Sequence, residues 1–279
     1  MNLISCYRLA WAGFSRWWIP LCLVALIGVL AETAPRFMAQ REAPLPSLAK
    51  SGSELLAARS EHERVERSRA ILAQLQESGL RMGRWALLFA PIAIPVTILL
   101  IVFGMKATSR EGLELGADTR LAGRRGLAVL LSQVLALGIA FGPVVLWLAG
   151  LRFLGEQLPG QVALLLLIAL PTLALALGLV AVLYVVFFFA PQLAADSVRG
   201  PLGALFMSAR LVWIAPVSTS ALVAINALLQ ILSIPTVIGL IPVTAFVNTA
   251  RGAAYQQLLA EHRAASGDEE QSQEFPVAN

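Results

Sequence analysis

The residues best suited to metal or nucleophilic chemistry are two cysteines, Cys6 and Cys22, and two histidines, His62 and His262. Their spacing supports neither chemistry. The cysteines lie in or beside the first apolar block, where a thiol behaves as a small hydrophobe, and the chain lacks the loop-rich setting of a disulfide framework. The histidines are far apart in polar segments, without Cys or carboxylate neighbours at the spacing a zinc ion needs. No phosphate-binding glycine loop, nucleophile elbow or paired metal-ligand set occurs. The sequence therefore predicts no catalytic residue, no metal site and no cofactor. Any reaction the chain takes part in would be performed by another chain.

A second class of chemistry-bearing residue lies inside the apolar blocks, the last of which ends at Val247. These blocks hold no Asp, Lys, Arg or His, and their one Glu, Glu32, stands at the outer end of the first. Ionisable groups at membrane depth mark proton relays and ion paths, so this composition argues against proton-coupled transport. The polar residues that remain include Ser132 and Gln133, then Ser218, Thr219, Ser220, Asn226 and Gln230. Asn226 and Gln230 are one helical turn apart and are expected to share a face. Two readings fit Ser132, Gln133, Asn226 and Gln230: hydrogen bonds between helices, worth about 0.6 to 2 kcal/mol, or a polar lining for a ligand or lipid headgroup. The first is favoured. Gly138 and Gly142 form a Gly-x-x-x-Gly step that permits close helix contact.

The elements that carry these residues follow from composition. Of 279 residues, 58% are hydrophobic and 14% charged, against about 25% charged in soluble domains. The apolar residues are gathered in blocks near the roughly 20 residues a spanning helix requires. An all-α, polytopic membrane protein is predicted, with spans at 17–34, 85–105, 127–151, 162–190, 213–232 and 235–254. Ser233-Ile234-Pro235 divides the last apolar region into a hairpin, and 260–279 is expected to be a disordered polar tail. The net charge of +4 comes from basic residues flanking apolar blocks. No basic stripe with interleaved aromatics appears, so nucleic acid is not an expected partner and membrane lipids are.

Ile4, Tyr7, Trp11, Phe14 and Trp18 recur at helical spacing, which suits an interfacial helix ahead of the first span. That span has two readings: a signal cut near Val29-Leu30-Ala31, or a retained anchor, which Pro20 and the Trp17-Trp18 pair favour. Residues 35–84 are read as an extramembrane loop, irregular around Pro35, Pro44 and Pro46. Within it an amphipathic helix is expected from Ser53 to Gly79, carrying Ala58, Val65, Leu72 and Leu75 and a Glu63–Arg67 pair. Residues 53–79 would rest on the membrane or on the protein's own helices, or dock another membrane or envelope protein. Lys106, Arg110, Arg120, Arg124 and Arg125 crowd one short loop. By the positive-inside rule that loop and both termini are placed in the cytoplasm.

One stretch has a family likeness. Phe187 to Asp196 is an apolar run closing on Pro191 and a polar turn. Pro201 to Val212 is an amphipathic helix, and after a hairpin the chain closes on Ala253-Ala254-Tyr255-Gln256-Gln257-Leu258-Leu259. Pro191 is expected to stop the preceding helix. Leu202, Leu205, Phe206, Ala209 and Val212 would share an apolar face along the membrane, with Ser208 and Arg210 off its centre and Arg210 reaching headgroup phosphates. The pattern resembles the uncharacterised bacterial six-helix inner-membrane proteins grouped with the membrane domain of glycerophosphodiester phosphodiesterases. The resemblance implies fold and location rather than activity, since the phosphodiesterase chemistry of the linked enzymes sits in a soluble domain this sequence lacks. The expected function is a non-enzymatic membrane subunit or scaffold that holds lipid or a partner. The alternative is a permease or lipid-handling transporter that uses proline-broken helices as moving parts.

Overall fold

The computed structural model describes residues 1–42, 61–109, 111–157, 162–196 and 200–266. These residues form eight α-helices and no strand: α1 (Leu3–Glu42), α2 (Glu61–Ala107), α3 (Leu115–Gln157), α4 (Val162–Val186), α5 (Ala190–Asp196), α6 (Pro201–Ile214), α7 (Pro216–Ser233) and α8 (Val237–Ser266). Five stretches are long and apolar enough to cross a membrane: α1, Gln76–Ala107, Leu115–Leu154, Leu167–Asp196 and α7. This is the all-α polytopic fold the sequence predicts. The expected sixth span, 235–254, is helical from Val237 within α8 and is not among these five stretches of the described residues.

The chain divides into two compact units, Leu23–Thr97 and Met1–Cys22 with Ile98–Asn279. In the first, α1 continues through Pro35 to Glu42, so the expected loop begins later than Pro35. The predicted cap at Ser53 and Ala58 lie outside the described residues. Downstream, α2 runs unbroken through Gly79, which therefore does not end a helix. A glycine inside a helix costs only about 1 kcal/mol, too little to stop one that extends on both sides. Arg67 pairs with Glu63 at 2.5 Å as expected. The carboxylate of Glu42 accepts hydrogen bonds from the Arg84 guanidinium at 2.5 and 2.7 Å and from Trp85 Nε1 at 3.0 Å.

In the other unit, α1 is kinked where Trp17 leaves helical geometry (φ −120°, ψ 24°), the point at which an interfacial segment was expected to turn into a span. The aromatic stripe before it is not simply membrane-facing: Tyr7, Trp11 and Phe14 surround Phe246 of α8, with ring centroids 5.9 to 6.1 Å away. The basic connection is shorter than the sequence suggests, since Arg120, Arg124 and Arg125 already belong to α3. Gly112 makes the turn before it with φ +75°, a conformation that disfavours other residues. From the first turn of α3, the Asp118 carboxylate reaches back to accept the Glu114 N–H at 2.8 Å, satisfying a donor at the helix start. Proline shapes the next boundaries. Ala215, preceding Pro216, is pushed out of the helical region (φ −140°, ψ 62°), which separates α6 from α7. By contrast Pro91, Pro95, Pro143, Pro171 and Pro242 lie inside continuous helices. At the C-terminus α8 extends to Ser266, so the expected polar tail begins as helix.

Where α2 meets α8 the two backbones touch. A methyl group added at Gly252 would lie 2.5 Å from the Gly104 carbonyl oxygen and 2.7 Å from Met105 Cα. One added at Gly104 would lie 2.6 Å from the Asn248 carbonyl oxygen. The expected Gly138–Gly142 step makes no such contact, with nothing within 4 Å of either position. Small residues do set a close helix crossing here, at a different pair from the one the motif suggested.

Candidate functional site

The polar chemistry of this unit converges on the break between α4 and α5. Pro191 has no N–H to offer the Phe187 carbonyl, which is bonded instead by Ala190 N at 3.1 Å. The Phe188 N–H tightens onto the Val185 carbonyl at 3.1 Å. The helix therefore stops at Val186, before the proline, and Pro191 itself lies in the first turn of α5. There its missing N–H costs nothing. The expectation that α4 continues to residue 190 and is stopped directly by Pro191 is corrected accordingly.

A broken helix leaves backbone groups unpaired, and away from water each must find a partner. Ser208 of α6 supplies two bonds: its hydroxyl donates to the Val186 carbonyl at 2.8 Å and accepts the Phe189 N–H at 3.2 Å. Arg251 of α8 donates from Nη2 to the Phe188 carbonyl, and its guanidinium sits 4.3 Å over the Phe188 ring. The same strip of α8 makes two further ties. The Tyr255 hydroxyl donates to Asp196 at the end of α5 at 2.7 Å, and Gln256 Nε2 donates to the Met105 carbonyl of α2 at 2.9 Å. Burial, then the neighbouring Asp196 carboxylate, push the Tyr255 phenol above its ordinary range, so it stays a donor.

Beside Arg251 lies a small, partly open cleft of about 80 Å³. Gln133, Ala136 and Leu137 of α3 line one wall, and Tyr184, Phe187 and Phe188 another. A second open cleft is bordered by Lys106, Asp118, Arg120 and Arg124.

The residues singled out by sequence are divided by the fold. Gln133 reaches the cleft. Ser132 is buried, but its hydroxyl bonds its own helix at Val129 (2.8 Å) rather than a neighbour. Asn226 is buried and accepts a hydrogen bond from the Tyr7 hydroxyl at 3.0 Å, which matches the interhelical reading. Gln230 does not join it: the buried stripe of α7 runs Thr219, Leu222, Asn226, Ser233, and Gln230 lies about 40° to one side, exposed.

On α6 the expected face is corrected. Leu205 and Val212 are buried, but Leu202 and Phe206 are 61% and 77% exposed. Ser208, placed off-centre by the sequence, is fully buried between Ala204 and Leu211 on the side facing α5. Arg210 is exposed as expected. The outward face of α6 is Leu202, Phe206, Arg210 and Trp213, still a mostly apolar surface with one cation.

Arg251 is not legible as an interior residue because the apolar run of the sequence ends at Val247, although the predicted span extends to 254. A signal was present: Asn248, Arg251, Gly252 and Tyr255 recur at three- and four-residue spacing and so share one face.

Replacing Asn226 with Leu orphans the Tyr7 hydroxyl, and the unfolding free energy in detergent should fall by about 1 kcal/mol. The double change N226L/Y7F should recover most of it. A cellular defect with unchanged stability would instead assign Asn226 to a ligand.

No family model, curated protein or solved structure matches the chain. Fold and composition define its class: an all-α protein with several membrane-span-like helices, embedded in a membrane.

Proposed function

We propose that the chain is a non-enzymatic integral membrane subunit that holds membrane lipid or a partner protein in the bacterial inner membrane, with both termini in the cytoplasm. Its likeness to the six-helix inner-membrane proteins grouped with glycerophosphodiester phosphodiesterases belongs to the same proposal. One observation carries the reading: at the α4–α5 break, Ser208 and Arg251 bond the protein's own backbone and lock the helices that meet there. A helix break that serves as a hinge needs bonds that exchange partners, whereas this one is held from two other helices at once. The transporter alternative relied on proline-broken helices, and five of the prolines in question sit within unbroken ones. Residues 53–79 remain the proposed docking segment for a membrane or envelope partner; of these, 61–79 lie on α2.

Gentle extraction and affinity purification test the proposal. A stoichiometric partner or a tightly held lipid is expected, with no solute flux when the chain alone is placed in liposomes. Flux by the chain alone would overturn the subunit reading.

A further inference from the structure

We propose that the cleft beside Arg251 binds a phosphate group, in the first place the headgroup phosphate of an anionic membrane phospholipid. The inference rests on the proposed lipid-holding role and gives that role a site and a ligand class. Three observations carry it. Arg251 uses Nη2 on the Phe188 carbonyl, but its Nε is buried without a hydrogen-bond partner. Among the described residues no carboxylate pairs with it, so its buried charge is offset only by the Phe188 carbonyl and ring. Such a charge is costly unless an anion enters. Gln133 and Tyr184 also line the cleft, and neither the Gln133 amide nor the Tyr184 hydroxyl bonds another described residue. Donors from α3, α4 and α8 thus surround one space, an arrangement suited to a tetrahedral oxyanion, and the guanidinium fork is the usual partner for phosphate. Ala136, Leu137 and Phe187 give the same cleft apolar walls, and Leu137 and Tyr184 are themselves exposed, as an entry for a lipid rather than a bare ion requires.

Native mass spectrometry of the full-length chain in detergent tests this, with dioleoyl phosphatidylglycerol, a phosphate-free galactolipid and sodium phosphate as separate probes. The wild type should retain one phosphatidylglycerol under activation that strips the galactolipid. Arg251→Gln should abolish retention. Because that change also removes the bond to Phe188, Gln133→Leu provides the second arm. It should weaken retention about tenfold while leaving the lipid-free unfolding temperature unchanged. Retention of phosphate but not phosphatidylglycerol, lost in Arg251→Gln, would support the site and assign it to free phosphate. Equal retention in wild type and both variants, equal retention of the galactolipid, or no adduct at all would overturn the proposal. Solute flux without a partner would defeat the subunit reading separately and leave this binding result standing.

Discussion

Gly252→Ala should lower the unfolding free energy by about 3 kcal/mol, a large effect for the addition of one methyl group. The added methyl would meet the Gly104 carbonyl oxygen at 2.5 Å and Met105 Cα at 2.7 Å, both backbone atoms that cannot rotate away. The helices must separate, and the Gln256 bond to the Met105 carbonyl is pulled out with them. Gly138→Ala and Gly142→Ala are the matched controls, since nothing lies within 4 Å of either position. They should be neutral or stabilise by up to about 1 kcal/mol, the helix-propensity gain of alanine over glycine. Chemical unfolding in detergent, followed by circular dichroism, reads all three. A neutral Gly252→Ala would show that α2 and α8 do not cross there.

Ser208→Ala is the second large effect, roughly 2 to 4 kcal/mol, because two backbone groups lose their partner together. The Val186 carbonyl and the Phe189 N–H both depend on that hydroxyl, and Ser208 is fully buried. Ser132→Ala removes an equally buried hydroxyl that bonds only a carbonyl of its own helix. It should cost about 1 kcal/mol or less, since that hydroxyl only back-bonds to its own helix. Similar costs for the two substitutions would mean that the α4–α5 break is held by something other than Ser208.

The long apolar helices were legible because crossing hydrocarbon imposes a length, and length survives in a sequence without any contact information. The hairpin at Ser233 to Pro235 was legible for a related reason: α7 ends at Ser233 and α8 begins at Val237, with the helix-disfavouring residues between them. The orientation of α6 was not. Hydrophobic periodicity tells core from water, but a helix among lipids is apolar on both sides. Leu202 and Phe206, which point outward, read the same as Leu205 and Leu211, which point inward. The direction reverses for polar groups: Ser208 reads as an off-centre residue and is fully buried. Arg251 illustrates the same inversion, since a cation at the end of an apolar block reads as a boundary while the fold uses it to bond a neighbouring helix.

Amide hydrogen exchange across residues 185–193 tests the central claim, that the α4–α5 break is a sealed joint rather than a hinge. The account predicts that the Phe189 amide, held by Ser208, exchanges as slowly as the flanking helical amides, and at least about tenfold faster in Ser208→Ala. Rapid exchange of Phe189 in the wild type, unchanged by the substitution, would contradict it and favour the transporter alternative.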